Sequence, residues 1–88
     1  MLFRSDERVL VEVYVPAAGK YLEILLPVQA QLRSLHIYVA QLLEQTWGLK
    51  ENSLADCCWY LEQQDILPNF QLTVQEAGIR NGERIVLL

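Results

Sequence analysis

The sequence predicts an α+β domain in which a mixed sheet of four to five strands packs on one main helix. Three features predict it. Valines recur at every second position near the start, apolar spacing turns helical between residues 30 and 47, and an apolar alternation returns over residues 84–88. In the order β-β-α-β-(β)-β, the last strand lies parallel to the first and the helix covers one sheet face.

The first strand is Arg8–Val15. Val9, Val11, Val13 and Val15 share one face, and Leu10, Glu12 and Tyr14 share the other. Such β-branched side chains suit a pleated, half-buried surface. Pro16 stops the ladder, and Gly19 supplies the positive φ of a hairpin loop. Lys20–Leu26 is the return strand, with Leu22, Ile24 and Leu26 inward, and Pro27 ends it. From about Ala30 to Trp47, residues Leu32, Leu35, Val39, Leu42 and Leu43 fall within one helical arc, with Trp47 near it. Gly48 fits a left-handed cap, whereas residues 28–31 offer none of the preferred N-capping side chains.

Lys50–Asp56 reads as a loop. Cys57–Glu62 reads as a short strand, with Trp59 and Leu61 on one face and Cys58 and Tyr60 on the other. After a turn at Gln63–Asp65, Ile66-Leu67 is expected as a brief edge strand, and Leu72–Ala77 as a short helical turn ended by Gly78. Asn81-Gly82 marks the last turn, and Arg84–Leu88 is the final strand. Residues 8–88 are expected to form one domain, and residues 1–7 a flexible N-terminus.

The chain has 88 residues, 52% of them hydrophobic, so a dense core is affordable and disorder is disfavoured. Its net charge is −4, and its seven Lys and Arg are scattered, a pattern that argues against nucleic-acid binding. No stretch approaches the ~20 apolar residues of a membrane span, and no secretory leader is read. The expected location is the cytoplasm, with any membrane association made through a protein partner rather than by insertion. The two cysteines, Cys57 and Cys58, are adjacent and are read as reduced thiols, one inside and one outside.

The order of elements is that of ubiquitin, and spacings agree. Gly19-Lys20 occupies the place of the ubiquitin hairpin's Gly-Lys; Leu22, Ile24 and Leu26, then Leu32, Leu35 and Val39, follow at core positions in the same register. Val74, Ile79, Ile85 and Leu87 repeat the apolar spacing of ubiquitin's last quarter. The resemblance implies a β-grasp (ubiquitin-like) fold. Leu72 to Leu87, with its string Gly78-Ile79-Arg80-Asn81-Gly82-Glu83-Arg84, resembles the tail of the YukD/EsaB family. Those are small bacterial ubiquitin-like proteins of type VII (WXG100) secretion systems. The likeness runs over about residues 8–88, is poorest around Cys57–Phe70, and favours the stand-alone form of the family. It implies protein components of a secretion machinery as partners.

Ubiquitin and the sulfur carriers are activated through a flexible Gly-Gly tail. Ile85-Val86-Leu87-Leu88 is instead read as strand, so conjugation is not expected. Catalytic, cofactor-binding and metal-binding residues are all expected to be absent. His36 sits beside the helix's apolar arc and is read as a half-buried structural histidine, and each of the four glycines fits a turn. What remains is a surface. The sheet face away from the helix would carry Leu10, Tyr14, Leu25, Tyr60, Val86 and Leu88, with Glu12 and Glu23 among them, as a protein-binding site. Self-association through that face is a competing use, and Ile37 and Tyr38 on the helix offer a second contact. The rival expectations are a generic ubiquitin-like protein-binding module from a larger protein and, less favoured, an enzyme or carrier using Cys57, Cys58 or His36.

Overall fold

The computed structural model describes residues 7–88. The expectation for residues 1–7 lies outside these, save for Glu7, whose carbonyl accepts the Val28 N–H at 3.0 Å. Strand β1 (Arg8–Val15) pairs antiparallel with β2 (Lys20–Pro27) in a register running from Val15 opposite Lys20 to Arg8 opposite Pro27. In the loop between them Gly19 has φ 64°, and its N–H reaches the Val15 carbonyl at 2.9 Å. Strand β4 (Arg84–Leu87) lies parallel to β1, and β3 (Trp59–Leu61) lies antiparallel to β4. The sheet order is therefore β2-β1-β4-β3, with β1 and β4 at its centre.

Helix α1 spans Leu32–Trp47 and begins two residues later than the spacing predicts. Gln31 makes no side-chain cap, as its chemistry foretells. The first N–H groups are satisfied from far along the chain instead: Leu32 donates to the Leu72 carbonyl and Arg33 to that of Phe70, both at 2.9 Å. At the other end Gly48 is left-handed at φ 66°, and Leu49 N–H returns to the Glu44 carbonyl at 2.8 Å. That pair of features closes the helix with a Schellman motif.

All five elements feed one apolar cluster. Val11, Val13 and Val15, Ile24 and Leu26, Leu32, Leu35, Val39 and Leu43, Trp59 and Leu61, and Ile85 and Leu87 are buried in it. Leu42 and Trp47 pack only against its edge, which narrows the predicted helix face.

The stretch from residue 62 to 83 departs most from expectation. Ile66-Leu67 forms no strand; Ile66 makes an isolated bridge to Leu61, so the sheet has four strands. Leu72–Ala77 does hold the single helical turn expected, with Ala77 N–H donating to the Thr73 carbonyl at 2.9 Å and Gly78 ending it at φ 72°. It is capped reciprocally, since Thr73 N–H donates to the Glu76 carboxylate and Glu76 N–H donates to the Thr73 hydroxyl oxygen. Val74 N–H and Gln75 N–H then donate to the Ala30 and Val28 carbonyls. This backbone tether fixes Val74 in the core.

Candidate protein-interaction surface

Strand alternation sends Leu10, Glu12 and Tyr14 of β1 to the face opposite α1, together with Tyr21, Glu23 and Leu25 of β2. Arg84 and Val86 of β4 and Tyr60 of β3 join them. The register sorts these side chains into cross-strand rows. One row reads Tyr21, Tyr14, Val86, Tyr60 across all four strands. The next reads Glu23, Glu12 and Arg84, with Glu62 beyond, and a third pairs Leu25 with Leu10.

All six expected contact residues thus belong to one face, but not to one apolar patch. The charged row separates Leu10 and Leu25 from Tyr14, Val86 and Tyr60. Val86 is only 7% exposed and offers little surface of its own. Leu88 is exposed beyond the tyrosine row, and its backbone exchanges two hydrogen bonds with Cys58, at 2.8 and 2.9 Å. Sequence reasoning omitted Tyr21, which is 58% exposed beside Tyr14; the period of two in Tyr21-Leu22-Glu23-Ile24-Leu25 already places it there.

The rows are held by specific contacts. Arg84 Nε donates to Glu12 Oε2, and Nη1 lies 3.8 Å from Glu62. The Glu12 hydrogen bond raises the guanidinium pKa further above its ordinary value. The same guanidinium carbon sits 4.9 Å from the centroid of the Tyr14 ring, a cation–π distance. Tyr60 donates its hydroxyl proton to Asp65, a residue held at φ 58° in the turn after β3. That bond, aided by partial desolvation and the charges of Asp65 and Glu62, raises the Tyr60 pKa. The result is a tyrosine row bordered by four carboxylates, those of Glu12, Glu23, Glu62 and Asp65, and one guanidinium. Rigid rings with a polar tip beside fixed charges suit protein recognition.

The groups with chemical potential lie elsewhere. His36 is buried more deeply than expected, at 7% exposure, against Trp59 at 1%. Trp59 Nε1–H donates to His36 Nδ1 at 3.0 Å, and His36 Nε2 sits 2.9 Å from the Ala55 carbonyl. An indole nitrogen only donates and a carbonyl only accepts, so the imidazole is neutral with its proton on Nε2. Both ring nitrogens are committed to structure. Phe70 completes the cluster, its ring 5.4 Å from His36 and 5.6 Å from Trp59. Cys57 is partly buried and Cys58 exposed. Burial pushes the Cys57 thiol pKa up, and the charges of Cys58, Asp56 and Glu44 add to it, which disfavours the nucleophilic thiolate. Glu44 is buried in the last turn of α1, where its carboxylate accepts the N–H groups of Asn52 and Leu54 at 3.1 and 2.9 Å and so pins the loop after the helix. Among the described residues no three His, Cys, Asp or Glu are grouped to hold a metal ion. Likewise no helix among them is long and apolar enough to cross a membrane.

Solved structures share this architecture. The ubiquitin of Caldiarchaeum subterraneum superposes with a TM-score of 0.66 at 13% identity, covering 92% of this chain and 91% of that one. The EccD5 ubiquitin-like domain from Mycobacterium xenopi gives 0.71 at 14% identity, covering 93% of both chains. A ubiquitin-like protein from Trypanosoma brucei gives 0.69 at 18% identity, covering 93% of this chain and 94% of that one. No protein-family model matches the chain, and no curated protein does. The chain has a ubiquitin-like β-grasp fold, one helix on a mixed four-stranded sheet.

Proposed function

We propose that the chain is a non-catalytic, unconjugated accessory protein of a bacterial type VII secretion system, similar to the YukD/EsaB proteins. It works in the cytoplasm by binding protein components of the machinery, and reaches the membrane only through them. The observation that carries this reading is the string Gly78-Ile79-Arg80-Asn81-Gly82-Glu83-Arg84, which here forms the turn that delivers β4 into the sheet. Within it Asn81 Oδ1 accepts the Leu10 N–H at 2.7 Å, and Gly82 N–H donates to the Leu10 carbonyl at 2.8 Å. The likeness in fold to the EccD5 domain supports the same kind of system. Residues 84–88 are tied into the sheet, Leu88 through its two backbone bonds to Cys58.

The binding surface is the outer sheet face, with Tyr14 and Tyr60, joined by Tyr21, as its anchors and Leu10, Leu25, Val86 and Leu88 around them. Tyrosines are favoured anchors because they contribute large area with few rotatable bonds. Complementation in the native host tests this. Deleting the gene should lower export of small helical-hairpin substrates, and a folded Tyr14→Ala/Tyr60→Ala double variant should fail to restore it. Undiminished export in the deletion strain would defeat the secretion assignment. Full rescue by the double variant would defeat the surface.

A further inference from the structure

The sheet ends at β2, and among the described residues no strand lies beyond it. In antiparallel pairs, residues alternate between exchanging both backbone bonds with the partner strand and pointing both groups away. The Val28 N–H to Glu7 carbonyl bond fixes the phase here. Leu26, Ile24, Leu22 and Lys20 therefore face β1, and Tyr21, Glu23 and Leu25 turn their N–H and C=O groups outward. An unpaired row of this kind is a template for another strand.

The side chains flanking the row are apolar on both sides of the sheet. Tyr21 and Leu25 stand exposed on the outer face. Around the edge, a groove of about 260 Å³ runs from Leu25 toward α1, lined by Arg8, Leu25, Pro27, Leu35 and Tyr38. Between Tyr21 and Leu25 stands Glu23. Its neighbour Glu12 is paired with Arg84, whereas Glu23 forms no ion pair among the described residues.

We propose that β2 accepts an extended segment of a partner protein as a fifth strand. The segment carries Lys or Arg opposite Glu23, with apolar side chains two residues to either side over Tyr21 and Leu25. Main-chain bonds to the three outward residues hold it, and alternate side chains give specificity. A second copy of this chain fits less well. The register that uses every outward group of two β2 strands sets Glu23 of one copy directly against Glu23 of the other, and like charges so placed repel. The added strand would extend the row that starts at Tyr21, yet it needs nothing from Tyr60 on the far side of the sheet.

The test titrates the full chain with a capped peptide of alternating valine and threonine bearing one central lysine, in low salt, followed by NMR. Amide exchange should slow at Tyr21, Glu23 and Leu25, and a central glutamate in the peptide should weaken binding about fivefold. Glu23→Lys should reverse that preference. N-methylation of the peptide amides that face β2 should abolish binding, whereas Tyr60→Ala should leave it unchanged, which separates this idea from the outer-face reading. Equal binding of the methylated peptide, or a charge preference indifferent to Glu23→Lys, would overturn the proposal. So would edge protection that rises with protein concentration alone, which means self-pairing. Tenfold tighter binding to a chain lacking residues 1–6 would also overturn it, by making that segment the natural occupant.

Discussion

Replacing Trp59 with Phe removes the hydrogen-bond donor from a buried side-chain pair. The Trp59–His36 bond is 3.0 Å long, and each partner is at least nine-tenths buried. Trp59→Phe leaves His36 Nδ1 without a donor where water has little access, and trims a ring from the core. His36→Phe leaves the indole N–H unpaired and releases the Ala55 carbonyl. An unsatisfied buried group costs about 1–3 kcal/mol, so each single variant should lose at least that. The double variant removes donor and acceptor together. It should lose about 1–2 kcal/mol less than the two single losses combined. Urea unfolding followed by far-ultraviolet circular dichroism measures all four proteins without relying on the deleted fluorophore. Additivity to within about 0.5 kcal/mol would refute the claim that this bond organises the core. A proton found on His36 Nδ1 by nitrogen NMR would refute the tautomer on which it depends.

Other outcomes follow from the same geometry. Glu44→Gln replaces one of two acceptor oxygens with a donor, leaving Asn52 or Leu54 N–H facing an amide; the loss should be about 1–3 kcal/mol, with faster amide exchange at both residues. Gly48→Ala meets no atom within 4 Å, so its destabilisation, about 1 kcal/mol in urea unfolding, should come from the left-handed backbone alone. Tyr60 should be the last tyrosine to ionise in an absorbance titration, because its hydroxyl is held by Asp65. A raised folded pKa means that this contribution to stability is intact below about pH 10, the unfolded value, and disappears as pH rises through the folded one. In Asp65→Asn, Tyr60 should ionise at lower pH, and the alkaline loss of stability should shrink.

The hairpin, the helix and the last strand are legible because each carries its own period: valines two apart, leucines three and four apart, then Ile85 and Leu87. Residues 62–83 carry no such period. What holds them is backbone bonding to distant partners, as in Val74 N–H to Ala30 and Leu32 N–H to Leu72, which leaves no mark on side-chain spacing. The same division applies to the surface. Alternation reveals which side chains share the outer face, but their rows depend on the β1–β4 register. That register joins Glu12 to Arg84, 72 residues apart, and puts charge across what otherwise reads as a continuous apolar patch. His36 reads as half-buried because helical spacing places it beside the apolar arc, and nothing local announces that Trp59 brings it a partner.

The place of β1, flanked by its hairpin partner and by β4, has a consequence for synthesis. A nascent chain emerging from the ribosome completes the hairpin and helix early, yet the other side of β1 stays bare until residues 84–87 emerge. Non-local pairing of this kind comes late, because loop closure must come first. Translation that stalls anywhere before Arg84 therefore leaves the backbone edge of β1 open to strands of other nascent chains. Shortening the chain from its carboxyl side should accordingly produce an abrupt loss of soluble protein rather than a gradual one.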